Sequence, residues 1–372
     1  MVNLVNRVVN VMRSDQSSHS RRSFIAGIRR GLVTAAAGAA LLAIILQPVE
    51  LNAQSAGPSA KIRLSLQPGN AQPPFIAADM FGFFKDAGLE VEELRFNSGA
   101  AMFAAAKSGS VDILEMGLGA VMLGSSQGIP IKAIMTSGEF SRTNVLVAKP
   151  EFKSIKDLKG KRIASVTGST SHLGFVTALK QAGLNLEDVQ YLNMDPAAMV
   201  PAFRAGDIDA AWIWSAWQDR LVDAGGVRVM SNSDAGIRTP STVAVRTDWA
   251  SQNVDTLQRF LSALDRAYKV MNTPGSQRDQ VIKKWASMSG ISEETAKGII
   301  DRTGYPALKQ QVTDEDPLSL TKGFPTDMSA GFMLALKTNM DYLIAAGRLL
   351  APVRPEAVVD PEPLTRYVKS IR

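Results

Sequence analysis

Val111-Asp112-Ile113-Leu114-Glu115-Met116 has strand character. Gly117-Leu118-Gly119 then breaks it, and an apolar helical run continues to about Ser126. The same alternation extends in both directions. Upstream, Lys61–Gln67 alternates apolar and polar residues as a strand does, and Pro68-Gly69-Asn70 is turn chemistry. Ile76–Asp86 carries apolar residues at helical spacing and Gly88 can close that helix. Leu89–Phe96 reads as a second strand, and Ala100–Lys107 as a second helix that stops near Gly109. Downstream, Ile131–Thr136 is a fourth strand. The order β-α-β-α-β-α-β predicts a parallel sheet with helices on both faces.

The pattern then restarts. Val145–Ala148 is a short strand, and Ser154 opens a helix as its cap with Asp157 at the third position. Arg162–Val166 is a strand, and Gly168–His172 leads into a helix through Lys180. Val189–Leu192 is a strand, Pro196–Ala205 a helix and Asp209–Ile213 a strand. Thr242–Arg246 reads as a strand that returns the chain to the first unit, where helices over 254–271, 277–288, 292–302 and 326–346 are expected to pack. The reading is an α/β chain of two lobes, 61–142 with 243–372 and 143–242, joined by two crossing segments. Ligands bind such sheets beyond the carboxyl ends of the strands, here in a cleft between lobes.

Charge and composition narrow the function. Of 41 Lys and Arg, six lie in residues 1–53; of 35 Asp and Glu, only Asp15 and Glu50 do. The remainder is therefore close to neutral, which argues against a nucleic-acid partner. Cys is absent, which excludes disulfides, thiolate metal sites, a cysteine nucleophile and a lipid-modified cysteine. The two histidines are His19 and His172, too few for a His-based metal site beyond the leader. Residues 20–25 (Ser-Arg-Arg-Ser-Phe-Ile) precede an uncharged run from Gly31 to Leu46 and resemble a twin-arginine export signal. At 16 residues that run is short for a membrane span, which takes about 20. Residues 1–53 are expected to be an export signal cleaved near Ala53–Ala60, and 54–60 a flexible start of the mature chain in the periplasm.

Four segments form one ordered series: Phe96-Asn-Ser-Gly-Ala100, Ser108-Gly-Ser-Val-Asp-Ile113, Asp157-Leu-Lys-Gly-Lys-Arg-Ile-Ala164 and Ala205-Gly-Asp-Ile-Asp-Ala-Ala-Trp-Ile-Trp214. In their order and spacing the chain, from about Ile62 to Val368, resembles the periplasmic solute-binding proteins of ABC importers. Within that group it resembles the aliphatic-sulfonate, taurine and nitrate branch. The resemblance implies a type II bilobal periplasmic-binding-protein fold with two doubly wound sheets. It implies a monomer that binds a small anionic solute, without cofactor or metal, and docks on an inner-membrane ABC permease. Receptors for nitrate, an aromatic acid or a pyrimidine remain open. Enzymes that resemble this scaffold rely on cysteines that this chain lacks.

A sulfonate is a tetrahedral anion that suits several neutral donors aimed at one point, which helix N-termini provide. Ser98, Gly99 and Ala100 stand at one such end, as ligand donors or as a plain cap. Gly117 and Gly119 stand at a second, either for anion approach or for close strand–helix packing. Ser169, Thr170 and Ser171 stand at a third; three hydroxyls exceed one cap, which leaves at least one for a ligand. His172 next to them is either a donor or a packed residue. Gln67, Asn70 and Gln72 follow the first strand and are candidates for the cleft wall, with turn chemistry the alternative for Asn70.

Trp212, Trp214 and Trp217 cluster within six positions, with Ser215 and Gln218 at capping-box spacing for the next helix. That places Trp214 at the cleft mouth, with Trp217 beside it, able to cover the apolar body of a ligand or to pack in the core. Thr239 precedes the return strand and is a further candidate. The taurine-binding pattern carries an acid near this segment and another at the position of Gln72; this chain has Ser241 or Thr242, and Gln72, instead. A buried ammonium without a carboxylate is costly, so the expected ligand is a sulfonate that lacks an amine or keeps it exposed.

Overall fold

The computed structural model describes residues 59–66, 73–96, 99–214 and 216–371. The expected export signal, Gln67, Asn70, Gln72, Ser98 and Ser215 lie outside the described residues. Among the described residues no helix is long and apolar enough to cross a membrane.

The first half begins with β1 (Ala60–Leu66), α1 (Pro73–Met80), α2 (Phe83–Asp86) and β2 (Leu89–Arg95). It continues through α3 (Gly99–Lys107), β3 (Ile113–Gly117), α4 (Leu118–Ser126) and β4 (Ile131–Glu139). The single helix expected over Ile76–Asp86 is two pieces, because Gly82 adopts φ +69° and ends the first turn set. The second half runs β5 (Asn144–Ala148), β6 (Arg162–Ser165), α5 (Thr170–Gln181), β7 (Gln190–Asn193) and α6 (Pro196–Ala205). Then come β8 (Ala210–Trp214), α7 (Trp217–Asp223), β9 (Val227–Ser231) and β10 (Pro240–Arg246). The helix expected after Ser154 is a single 3-10 turn, Ile155–Leu158, although Asp157 does accept the N–H groups of Lys153 and Ser154. The strand β9 went unread in the sequence. The remaining helices are α8 (Thr247–Gln252), α9 (Val254–Asn272), α10 (Ser276–Ser289), α11 (Glu293–Arg302), α12 (Gly331–Ala345), α13 (Pro355–Val358) and α14 (Glu362–Ser370).

These strands form two five-stranded sheets, ordered β2-β1-β3-β10-β4 and β7-β6-β8-β5-β9. Each holds parallel neighbours and one inserted antiparallel strand, β10 in the first and β5 in the second. Each inserted strand enters immediately after the chain has crossed from the other sheet. Burial on both faces explains the near-continuous apolar strands. Along β3, Leu114 and Met116 enter one core and Ile113 the other. Along β8, Trp212 and Ile213 divide between two cores in the same way.

The two family motifs carry the same staple in both sheets. Asp112 accepts from the backbone N–H and guanidinium of Arg63 in β1 (2.9, 3.0 and 2.5 Å). Asp209 accepts from the corresponding groups of Arg162 in β6 (3.0, 3.1 and 2.8 Å) and from Lys149 (2.8 Å). Burial raises the Asp209 carboxyl, but Arg162 and Lys149 more than offset this and hold it well below the usual range. Both staples sit at the strand entrances, away from the carboxyl ends.

Candidate ligand-binding site

The carboxyl ends of both sets of parallel strands point toward the two crossings. In the first sheet β3 ends at Gly117, opposite Ser241 near the start of β10, and β4 ends at Glu139. In the second, β8 ends at Trp214, opposite Asn144, the first residue of β5. The crossings, 140–143 and 232–239, are bonded to each other. Phe140 N–H donates to Thr239 O (3.0 Å) and Ser233 N–H to Ser141 O (3.1 Å). The Glu139 carboxylate ties them further, accepting from Thr239 N–H (2.9 Å), Ser141 N–H (3.1 Å) and Ser141 Oγ (2.7 Å). Thr239 is buried, and its Oγ1 accepts from Asn232 Nδ2 (2.9 Å). Its hydroxyl is engaged in the crossing itself.

In the second sheet, α5 starts with its N-terminal N–H groups at this end. Ser169 caps it, its Oγ accepting from His172 N–H (3.2 Å). Ser171 is fully buried and donates to Asn144 Oδ1 at 2.6 Å. Thr170 is half-buried and reaches the same oxygen only at 3.5 Å, so its hydroxyl is the least engaged of the three. His172 is 4% exposed and rests against the Tyr191 ring, with centroids 4.8 Å apart. Burial pulls its imidazole down to about 4, so it is neutral at pH 7. Its Nδ1 lies 2.5 Å from the Tyr342 hydroxyl of α12, which also accepts from Gly168 N–H at 3.1 Å. One proton is shared between the Tyr342 hydroxyl and Nδ1, while Nε2 is buried with no partner among the described residues. Helix α12 also packs on α4 of the first half, so Tyr342 links the two halves.

The tryptophans separate by role. Trp212 is fully buried and donates from Nε1 to Asn232 Oδ1 at 2.8 Å. Asn232 in turn donates to Thr170 O (2.9 Å), which ties this ring to both α5 and the crossing. Trp214 and Trp217 are half-buried, and the Arg220 guanidinium lies 4.6 Å from the Trp217 ring centroid. Between them Ala216 takes φ +64°, a left-handed value that a residue with a Cβ adopts at a cost. Ser215 of the expected capping box lies outside the described residues. Helix α7 starts at Trp217 behind Ala216 without a side-chain cap, and the Gln218 amide is fully buried with no partner among the described residues.

In the first sheet the two glycines also differ. A Cβ on Gly117, the extended N-cap of α4, would meet nothing within 4 Å. A Cβ on Gly119 would lie 3.4 Å from Asn339 Oδ1 and 3.9 Å from Leu343 Cδ1, ordinary contact with α12, so this glycine faces a packed surface rather than open space. Gly99 opens α3, with Ala100 second. Five residues of this region went unmarked in the sequence reading: Asn144, Asn232, Tyr342, Glu139 and Glu115. Glu139 is the clasp described above. Glu115 is 2% exposed and accepts from Ser137 Oγ (2.9 Å) and Ser241 Oγ (2.5 Å). Burial raises its carboxyl to about 7 against the opposing effect of both hydroxyls. Its one sequence signal is an acid inside an otherwise apolar strand.

The chain is 29% identical over 252 residues, 66% of its length, to the taurine-binding periplasmic protein of Escherichia coli (strain K12), of which 78% is covered. In three dimensions it is similar to the periplasmic aliphatic sulphonate binding protein SsuA from Escherichia coli, with TM-score 0.65 and 21% identity, covering 81% of this chain and 92% of that one. It is also similar to the desulfurization enzyme DSZB, with TM-score 0.63 and 16% identity, covering 84% of this chain and 100% of that one. The architecture is the bilobal periplasmic-binding-protein fold that the resemblance implied. The family pattern described as NMT1/THI5 like matches residues 71–275, more than half of the sequence, and the chain belongs to that family.

Proposed function

We propose that the chain is the solute-binding component of an ABC importer. It captures a small organic sulfonate between two lobes and delivers it to an inner-membrane permease. The observation that supports this reading is that helix N-termini follow strand ends in both sheets, next to the hydrogen-bonded crossings 140–143 and 232–239. The α4 N-terminus behind Gly117 comes from one side and the α5 N-terminus with Thr170 from the other. The likeness to a taurine-binding and a sulphonate-binding protein supports the ligand class.

The lobes are 61–142 with 243–372, and 143–242, hinged at 140–143 and 232–239. In the cleft, the backbone at Gly99, Ala100 and Gly117 and the Thr170 hydroxyl hold the sulfonate oxygens. Trp214 and Trp217 cover its apolar body. Ser169, Ser171, His172, Gly119 and Thr239 act behind this layer as cap, packing and hinge, since their polar atoms or surfaces are already engaged. Residues 1–53 direct the chain to the periplasm through a twin-arginine-type signal cleaved near Ala53–Ala60. The mature chain acts as a monomer and without catalysis, a reading supported by the absence of cysteine from the sequence.

Thermal-shift screening of the purified mature chain against sulfonates, carboxylates and nitrate tests this. A ligand at a hundredfold excess over Kd adds about 2.7 kcal/mol, a rise of roughly 5 °C. A rise with nitrate or carboxylates and none with any sulfonate overturns the assignment.

A further inference from the structure

Four acidic residues are buried in the described part of the chain: Asp112, Glu115, Asp209 and Asp219. Three have a cation. Asp112 pairs with Arg63, Asp209 with Arg162 and Lys149, and Asp219 with Arg228. Glu115 pairs with no Lys or Arg among the described residues; two serine hydroxyls hold it instead. A buried carboxylate is normally matched by a counter-charge, because an unpaired one loses its hydration for nothing.

Its position suggests what that counter-charge is. Glu115 lies two residues from the end of β3, on the strand face shared with Ile113. Ser241, its closest partner, is half-buried and stands directly opposite Gly117, the glycine with open space in front of it. Ser137 lies near the exit of β4, and its carbonyl accepts from the Tyr268 hydroxyl at 2.6 Å. Tyr268 and Tyr305 are the titratable groups facing Glu115 from the helical side, and neither is a cation. The carboxylate is thus enclosed on the helical side, while its partner Ser241 is half-exposed beside the open space at Gly117.

We propose that Glu115 is the charge-reading residue of this cleft, accepting a protonated amine of the ligand together with the Ser241 hydroxyl. Resting on the sulfonate reading above, this makes the solute an aminoalkanesulfonate, with its sulfonate at the helix N-termini and its ammonium toward β3. The sequence expectation of an amine-free ligand rested on the missing acids at Gln72 and at Ser241 or Thr242. An acid on the neighbouring strand serves the same charge.

The experiment is calorimetric titration of the mature chain and of Glu115→Gln with taurine and with ethanesulfonate, which differ by the amine. In the unaltered chain taurine is expected to bind at least about tenfold tighter than ethanesulfonate. It is also expected to release about half a proton at pH 7, read from buffers of different ionisation enthalpy, as a carboxyl near that pH ionises. In Glu115→Gln both the preference and the proton release disappear. An equal loss for both ligands in the variant, or a retained preference, overturns the assignment. Should the variant fail to fold, taurine binding to the unaltered chain without proton release overturns it alone. Tight ethanesulfonate binding without preference for taurine sinks Glu115 but leaves the sulfonate reading standing. Binding of neither sulfonate, with nitrate or a carboxylate bound, removes both.

Discussion

Removing one hydroxyl, that of Tyr342, is expected to weaken ligand binding without touching the ligand. This group accepts from Gly168 N–H and is hydrogen-bonded to His172 Nδ1, and it joins α12 to α5 of the second half. A typical hydrogen bond contributes about 0.5–1.5 kcal/mol net, and a buried acceptor left unsatisfied costs about 1–3 kcal/mol. Gly168 is half-buried and recovers some hydration in Tyr342→Phe, whereas His172 Nδ1 does not. The sum is about 2 kcal/mol against the joined state. If the lobes part when the ligand leaves, the separated state regains water at both groups and loses nothing. The whole difference then falls on closure, and binding weakens about 30-fold. Calorimetric titration of the unaltered chain and Tyr342→Phe with the preferred sulfonate measures this, alongside the radius of gyration of the ligand-free forms by X-ray scattering. The variant is expected to be more extended when free and to close at saturating ligand. Affinity within about twofold of the unaltered chain, with a lowered melting temperature, would refute the reasoning. The bond would then exist equally in free and bound states and serve stability alone.

Two further outcomes follow from buried groups. The imidazole of His172, near 4, lies below its ordinary 6.5, so the unfolded chain takes up the proton first and stability is lost as pH falls from 6.5 toward 4, by about 3 kcal/mol. The Glu115 carboxyl, near 7, lies above its ordinary 4.5, so stability is lost as pH rises from 4.5 toward 7, also by about 3 kcal/mol. The two slopes oppose each other between pH 4.5 and 6.5. Urea unfolding of Glu115→Gln should therefore show a steep rise with pH that the unaltered chain hides; parallel profiles would contradict the Glu115 assignment, and a flat profile in the variant that of His172. In Gly174→Ala, the new Cβ would stand 1.9 Å from Asn232 Oδ1 and 3.0 Å from Trp212 Cε2. Asn232 must leave the Trp212, Thr170 and Thr239 network, with a loss above about 2 kcal/mol by denaturant midpoint; an unchanged midpoint would show that the network can shift freely.

The sequence by itself determined the layered architecture. Strand β3 was legible because Val111–Met116 must bury both faces, and Gly117 because the period changes there. The two sheets were legible because an interrupted and restarted alternation admits few other topologies. The strand β9 escaped because an edge strand of five residues carries little periodicity. The motifs that identify the family turned out to staple strand entrances: Asp112 to Arg63 and Asp209 to Arg162 are 49 and 47 positions apart. They marked the fold rather than the ligand.

Side-chain roles at the cleft were decided only in three dimensions. Nothing in the run Ser169-Thr170-Ser171 says that Ser171 is held by Asn144, or that Thr170 is left the freest. Strand period places Trp212 and Trp214 on one face, yet Trp212 is bonded to Asn232 in one core and Trp214 stands half-buried against another. Glu115 meets Ser241 across 126 positions, a contact created when β10 inserts between β3 and β4. Local periodicity reports which face of an element avoids water. It carries no information about which distant polar group will satisfy a buried one, because that pairing exists only after the sheet has closed.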